Sequence, residues 1–197
     1  DFRKIQKQKL NIQETLIGDY VSEICNNFSK TAESRNINLH FDNRAGERLL
    51  WIDRDSVEKL VFNLLSNAFK YTTEGKTIEV IVSPNKKEDA VSIQVNDEGY
   101  GMSNDVLNKL FTRFASFNKD KNKPSTGIGL SIVKGVADRH HAKVSVESEL
   151  DKGTSFTVSF PQGTEHFKND ENVTFIHCQM PKEVEKDFVL INSDKSI

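Results

Sequence analysis

The chain has 197 residues, of which 36% are hydrophobic and 28% charged, and its formal net charge at pH 7 is -2. These values fit one globular domain with a substantial core, and the balanced charge gives no basic surface for a nucleic-acid partner. No apolar run approaches the ~18 residues of a membrane-spanning helix. Cys25 and Cys178 lie far apart in the sequence and suggest neither a disulfide framework nor a zinc site, so a reducing, cytoplasmic setting is expected.

Hydrophobic periodicity divides the chain into three helices and several strands. The helices are predicted at 19–35, 56–70 and 129–140, and the strands at 37–42, 48–53, 76–84, 90–97, 143–149 and 154–160. The third and fourth of these strands are predicted to form a hairpin across a polar turn. Together these elements predict an α/β or α+β domain with about five strands in one sheet and the three helices on one face.

Three stretches outside these elements carry weaker signals. Residues 1–17 are basic and polar, which is typical of a leading segment or linker, and the absence of an initial Met indicates a fragment of a larger protein. Residues 98–125 are irregular, which in a compact domain usually marks a functional or disordered segment. Apolar residues become sparse over 162–197, which is expected to be a linker or tail. Asp53 or Asp55 is expected to cap the second helix.

The second helix, which contains "NLLSNAFKYT", carries an unusual polar stripe. Asn63, Asn67 and Lys70 are spaced i, i+4 and i+7 and therefore share one face, while most of the remaining circumference is apolar. A half-buried helix whose stripe meets solvent explains the periodicity most simply. Asparagine is a poor helix former, however, and its carbonyl oxygen suits Mg²⁺, which is usually shared with substrate phosphates. The stripe is therefore also consistent with a metal–phosphate site.

Two glycine-rich stretches add candidate ligand contacts. "NDEGYG" places Asp97, Gly99 and Gly101 at a strand end, where glycine permits close backbone approach to a ligand and Asp97 can accept a hydrogen bond from an exocyclic amine such as that of adenine. A turn with an Asp–Gly preference explains the same residues. "TGIGL" combines glycines with a helix start, which favours either an anion site or tight packing. Its spacing matches neither a P-loop nor a dinucleotide-binding fingerprint.

Taken in order, these motifs resemble the catalytic ATP-binding domain of sensor histidine kinases, a Bergerat-fold ATPase domain related to those of DNA gyrase, MutL and the heat-shock chaperones. The resemblance covers residues 14–161 and rests on the Asn-rich helix, the hairpin ending in DxGxG, the Phe-flanked "FTRF", the GxGL motif and the Gly-Thr before the last strand. It implies a two-layer α/β sandwich with a five-stranded mixed sheet, three main helices on one face and a mobile ATP lid.

The flanking segments also resemble parts of such kinases. Residues 1–13 are similar to the end of a dimerisation helix with its linker, and 162–197 remains a linker or tail. Within that tail, "PQGTEHF" is similar to the segment directly after this domain in hybrid kinases of the Bacteroidetes carbohydrate-sensing type. "NVTFIHCQMP" and "DFVLINSD" carry enough apolar residues to hint at extra strands.

The resemblance implies a role for each matching residue. Asn67 is expected to bind Mg²⁺ with Asn63 beside it, Lys70 to contact phosphate and Tyr71 to lie against the base. The full expected set is Asn63, Lys70 and Arg113 as catalytic residues, Asn67 as the metal ligand, and Asn67, Tyr71, Asp97, Gly99, Gly101, Gly127, Gly129, Leu130 and Thr154 as the ATP site. Two residues depart from the family's pattern. Ser125 replaces a frequent glycine, and Ser116 replaces a common lid arginine, which leaves more charge stabilisation to the other cationic groups and the metal.

Asn63 bears on the type of reaction. Hydrolysing members of the superfamily carry a glutamate at this place, and an amide cannot act as a general base at neutral pH. The resemblance therefore implies transfer of the γ-phosphoryl group from Mg-ATP to a histidine on dimerisation helices. A receiver domain or response regulator would be the next acceptor, and the full-length protein would be a membrane-anchored homodimer. A catalytically weak, nucleotide-gated interaction module is the alternative.

The acceptor histidine itself is expected to lie on those upstream helices. The five histidines of this chain are His40, His140, His141, His166 and His177, all inside or after the predicted ATP domain. His140 and His141 are expected to be caps of a helix end or surface residues.

Overall fold

The computed structural model describes residues 9–85, 87–110 and 128–176. In chain order its elements are β1 (Leu10–Leu16), α1 (Ile17–Asn26), α2 (Ser29–Ser34), β2 (Asn38–Asn43), β3 (Leu49–Asp53), α3 (Arg54–Tyr71), β4 (Thr77–Asn85), β5 (Ala90–Asp97), α4 (Asn104–Lys109), α5 (Ile128–Arg139), β6 (Lys143–Glu149), β7 (Gly153–Pro161) and β8 (Val173–Phe175). A 3-10 turn, Glu165–Phe167, precedes β8.

Five strands form the main sheet, in the order β2-β4-β5-β7-β6. The β2–β4 pair is parallel and the other three pairs are antiparallel. Because side chains alternate along a strand, one face of this sheet is apolar and packs in a single core with side chains of α1, α3 and α5. The opposite face is polar and carries cross-strand hydrogen bonds such as Gln94 to Ser155. The predicted α+β class with a five-stranded mixed sheet is confirmed.

A second sheet, β3-β1-β8, was not predicted, although β3 was a predicted strand and β8 falls within the stretch "NVTFIHCQMP", which hinted at an extra strand. β1 pairs antiparallel with β3 and parallel with β8, so the second half of the predicted leading segment is a strand. The predicted tail returns to the domain through residues 165–175. Leu10, Ile12 and Phe167 are buried together, and Trp51, Val173 and Phe175 pack against them. Burial of these apolar side chains drives a pairing between the two ends of the described chain.

Several predicted boundaries change. The helix expected at 19–35 is two helices, α1 and α2, because the chain turns at Asn27 and Phe28. The segment expected to be irregular contains α4, and its part from 111 onward lies outside the described residues. The start of α3 is settled: the Asp53 carboxylate accepts a hydrogen bond from the Ser56 backbone N–H at 2.8 Å, so Asp53 is the N-cap.

His140 caps the end of α5, which is one of the two roles that its position predicted, but it is not a surface residue. It is 1% exposed, its Nε2 accepts a hydrogen bond from the Asp53 backbone N–H at 3.0 Å, and its Nδ1 lies 2.9 Å from the Val136 carbonyl oxygen, to which it donates. Burial lowers the pKa of His140 to about 4, so the ring is neutral near pH 7. His141 is exposed, as expected.

No helix in the described ranges has both the length and the apolar character needed to cross a bilayer.

Candidate nucleotide-binding site

The polar stripe of α3 is oriented by the apolar remainder of the helix. Val57, Leu60, Val61, Leu64, Leu65 and Ala68 are all at most 3% exposed and lie in the main core. That burial leaves Asn63, Asn67 and Lys70 half-buried on the opposite side, together with Tyr71 at the helix end. The stripe therefore does not face open solvent along its whole length, since side chains that met only water would be exposed.

Asn63 faces the first turn of α5. Its Nδ2 donates a hydrogen bond to the Lys59 carbonyl oxygen at 2.6 Å. A Cβ placed on Gly129 would lie 2.8 Å from the Asn63 Oδ1, which is closer than real Cβ contacts allow. Gly129 thus lets the start of α5 approach the asparagine stripe, and two motifs that are distant in sequence meet in space. The half-buried Leu130, next along α5, packs against the main core.

Asp97, at the end of β5, meets the end of α3 through Gly99. The Gly99 N–H donates to Asp97 Oδ1 at 2.9 Å, and a Cβ on Gly99 would lie 2.6 Å from both that oxygen and the Tyr71 carbonyl oxygen. Burial raises the pKa of Asp97 to about 6, and hydrogen bonds from the backbones of Gly99 and Thr154 oppose the rise. A carboxylate held in this way has a fixed direction, which suits an acceptor for an amine.

Thr154 lies opposite Asp97 in the β5–β7 ladder, and its hydroxyl lies 2.9 Å from that of Ser148. Two glycines shape the same corner. Gly101 has φ +63°, and a Cβ there would lie 1.9 Å from the Glu149 carbonyl oxygen. Gly153 has φ +121°, and a Cβ there would lie 1.8 Å from the Asp97 carbonyl oxygen. Gly101 is therefore required by packing against the β6–β7 turn. Gly153, the glycine of the Gly-Thr motif, belongs to the same corner although it was not among the predicted site residues.

The structure brings most of the predicted residues to one region, between α3, the start of α5 and the end of β5. The Lys70 ammonium lies 5.5 Å from the centre of the Tyr71 ring. Arg113 and Gly127 lie outside the described residues, as do Ser116 and Ser125.

One contact was not found from the sequence. The Arg35 guanidinium donates hydrogen bonds to the carbonyl oxygens of Phe69 and Thr72, on either side of Lys70 and Tyr71. No local signal indicated it, because Arg35 lies at the end of a different helix, α2.

The donor set fits a nucleotide with a hard cation. The described residues contain no cluster of three or more His, Cys, Asp or Glu side chains that could hold a metal ion. The stripe instead offers amide oxygens, which suit Mg²⁺ when phosphates complete its coordination. Gly99 and Gly129 allow close packing beside Asp97 and beside Asn63, where a Cβ would clash. The arrangement supplies an amine acceptor at one end and amide and cationic groups at the other.

Comparison with known proteins shows the family of the chain. Residues 52–164 match the family described as histidine kinase-, DNA gyrase B- and HSP90-like ATPases. The chain is 34% identical over 182 residues to Histidine kinase P4 of Formosa agariphila, which covers 88% of this chain and 13% of that protein. It is 31% identical over 147 residues to Sensor histidine kinase RppB of Synechocystis sp., which covers 74% of this chain and 32% of that protein. The chain thus spans about a third or less of these relatives.

Solved structures share the fold. The catalytic domain of histidine kinase ThkA superposes with a TM-score of 0.69 at 22% identity, covering 78% of this chain and 97% of that chain. Full-length ShkA, in complex with AMPPNP, superposes with a TM-score of 0.72 at 21% identity, covering 82% of this chain and 34% of that chain. With the family match extending over more than half of the sequence, the chain belongs to the family of histidine kinase-, DNA gyrase B- and HSP90-like ATPases.

Proposed function

We propose that this chain is the ATP-binding catalytic domain of a two-component sensor histidine kinase, which binds Mg-ATP and transfers the γ-phosphoryl group to a histidine on a dimerisation domain. The observation that carries the proposal is Asn63, an amide that faces Gly129 at the place where a hydrolase of this superfamily carries a glutamate. An amide cannot take a proton from water at neutral pH. The site is therefore built for transfer to a nucleophile that needs no such base.

The nucleotide is proposed to lie with its base at Asp97 and its phosphates toward α5. Asp97 accepts a hydrogen bond from the adenine amine, with Tyr71 and Thr154 beside the base. Gly99 and Gly101 allow the backbone to approach the base closely. Support comes from the fixed Asp97 carboxylate and from the meeting of Gly99 with the Tyr71 carbonyl. At the other end, backbone N–H groups at the start of α5 favour an anion.

At the phosphate end, Asn67 is the proposed Mg²⁺ ligand and Lys70 the proposed phosphate contact. Mg²⁺ held there would neutralise charge on the phosphate oxygens during transfer. Arg113, Gly127, Gly129 and Leu130 complete the phosphate site in this proposal, the first two on the basis of their motifs alone. As a phosphorus–nitrogen bond forms to the acceptor imidazole, the bond to the leaving oxygen breaks and ADP is released.

The acceptor histidine is proposed to come from dimerisation helices outside this domain. His140 is not available as an acceptor, because both of its ring nitrogens are hydrogen-bonded inside the core. The relatives named Histidine kinase P4 and Sensor histidine kinase RppB support a two-component setting. We propose a receiver domain or response regulator as the next acceptor. The parent protein in this proposal is a homodimeric, membrane-anchored sensor of the hybrid type, with this domain in the cytoplasm.

The test is a calorimetric titration with a non-hydrolysable ATP analogue, with and without Mg²⁺. We expect Mg²⁺-dependent binding that Asn67→Ala weakens by about tenfold or more, since a metal ligand is lost. Asn26→Ala is the matched control, because Asn26 is exposed at the end of α1. An absence of binding at millimolar nucleotide would contradict the proposal.

A nucleotide-gated interaction module is the second candidate, favoured by Ser116 at the place of the common lid arginine. Phosphate transfer separates the two. We expect the kinase domain to label added dimerisation helices with phosphate from ATP, whereas the interaction module would bind nucleotide and leave the helices unlabelled.

A further inference from the structure

We infer that Arg35 is a positioning residue of the nucleotide site, which it reaches by holding the end of α3. The inference rests on the roles proposed above for Lys70 and Tyr71, the two residues of α3 nearest to that end. Arg35 itself lies at the C-cap of α2 and is half-buried.

Arg35 contacts the end of α3 through two hydrogen bonds. Arg35 Nη1 donates a hydrogen bond to the Phe69 carbonyl oxygen, and Nη2 donates to the Thr72 carbonyl oxygen at 3.1 Å. These two carbonyls flank Lys70 and Tyr71 in the chain. The guanidinium therefore brackets the two residues that are proposed to contact phosphate and base.

The carbonyls it contacts belong to a helix end, where backbone partners are scarce. The last four carbonyls of a helix lack an intrahelical N–H, and their partial negative charge favours a cation at this end. A planar guanidinium can satisfy two such oxygens at once, whereas a lysine ammonium acts as a point charge. Arg35 thus fixes both the position and the direction of the last turn of α3.

A second contact is made to the same turn. Gly99 fits against the Tyr71 carbonyl, where a Cβ would lie only 2.6 Å from that oxygen. Beyond the helix end, the Gly75 N–H donates to the Asn36 carbonyl at 2.7 Å, and the Asn36 side chain donates to Glu74 at 3.1 Å. Loss of the Arg35 bonds would remove one of the contacts that fix the position of Tyr71 relative to Asp97, at the end of β5.

The experiment measures the affinity of the 197-residue chain for a non-hydrolysable ATP analogue with Mg²⁺, at a temperature well below each variant's unfolding midpoint. We expect Arg35→Ala to weaken binding by about tenfold, and Arg35→Lys, which keeps the charge but loses the fork, by about threefold. Arg48→Ala is the matched control, because Arg48 is also half-buried and donates to one carbonyl, that of Ala45, away from α3. It should leave affinity within about twofold of the parent.

A double-mutant cycle shows whether the effect passes through α3. In a Tyr71→Ala background, Arg35→Ala should weaken binding by less than it does in the parent, because the group that it positions is gone. Affinity within about twofold of the parent for both Arg35 variants, despite a lower midpoint, would overturn the inference. So would an equal loss of affinity in Arg48→Ala.

The failure of the proposed function gives a different result. If Lys70→Ala and Tyr71→Ala both bind like the parent, the roles of those residues are wrong, and the inference about Arg35 falls with them. If those two variants bind weakly while the Arg35 variants bind normally, only the inference fails. Should Arg35→Ala not fold, Arg35→Lys carries the test alone, with the same outcomes.

Discussion

At the scale of single residues, burial shifts the pKa values of two titratable groups in opposite directions, and the two groups have different roles. Asp97 is a carboxylate whose pKa burial raises to about 6, and it lies at the candidate base site. His140 is an imidazole whose pKa burial lowers to about 4, and it joins the end of α5 to the start of α3 through the Asp53 N–H. Desolvation disfavours the charged form in both cases. Asp97 therefore costs folding energy near neutral pH, as groups kept for binding often do.

The substitution Asp97→Asn tests this cost. Because the folded-state pKa of Asp97 is raised from 3.8 to about 6, its protonated form stabilises the fold below pH 3.8, and this stability is lost as the pH rises through about 6. The Asn variant has no carboxyl group to ionise and therefore does not lose this stability. We expect Asp97→Asn to be more stable than the parent at pH 8 by about 2 kcal/mol, with the difference shrinking toward pH 4.

Denaturant unfolding at pH 4, 6 and 8 measures the difference in stability, and titration with the ATP analogue at pH 8 measures function. The same variant should bind the analogue about tenfold more weakly, because a neutral amide oxygen accepts a weaker hydrogen bond than a charged carboxylate does. A stability difference that does not change with pH would show that Asp97 carries no desolvation cost.

At the scale of helices and strands, the site depends on how closely α5 approaches α3. Gly129 permits that approach, since a Cβ there would lie 2.8 Å from Asn63 Oδ1. The atom it would meet is the tip of a side chain, which can rotate away. Crowding at this point would therefore disturb the position of Asn63 more than the packing of the two helices.

Gly129→Ala should separate stability from function. In a helix, alanine is favoured over glycine by about 1 kcal/mol, so we expect the variant to be as stable as the parent or slightly more stable. Displacement of Asn63 should weaken Mg²⁺-dependent binding of the ATP analogue by about fivefold to tenfold. Thermal unfolding and calorimetric titration of the same preparation provide both numbers. A variant that binds normally would show that Asn63 can move without consequence for the nucleotide.

At the scale of the whole molecule, the two ends of the described chain close against each other. The family match covers residues 52–164, whereas β1 lies before it and β8 after it. The parallel β1–β8 pair joins them, and Phe167 is buried at 1% exposure beneath that pair, in edge contact with His140. The returning segment is thus part of the folded domain.

Phe167→Ala measures how much this closure stabilises the domain. Removing a buried phenylalanine leaves a cavity, and we expect the free energy of unfolding to fall by about 3–4 kcal/mol. Leu150→Ala is the control, because Leu150 is 51% exposed and should change stability by less than about 0.5 kcal/mol. Chemical denaturation monitored by circular dichroism compares the two. A loss as small as that of the control would mean that residues 165–175 are not held by burial.

Local patterns in the amino-acid sequence were enough to predict the class of fold, the order of most elements and the grouping of the motifs. Periodicity set the span of α3 and of the hairpin β4–β5 to within a few residues, and the spacing of Asn63, Asn67 and Lys70 placed them on one helix face. The resemblance to histidine kinases depended on that same order of motifs, which can be recognised without knowledge of any distant contact.

Features that depend on contacts between distant residues emerged only from the folded structure. The second sheet, the burial of His140, the meeting of Asn63 with Gly129 and the hold of Arg35 on α3 each join parts of the chain that lie far apart in sequence. Local periodicity cannot reveal such pairs, because it records which face of an element is apolar but not which other element covers that face. The packing of the core determines which elements cover each other.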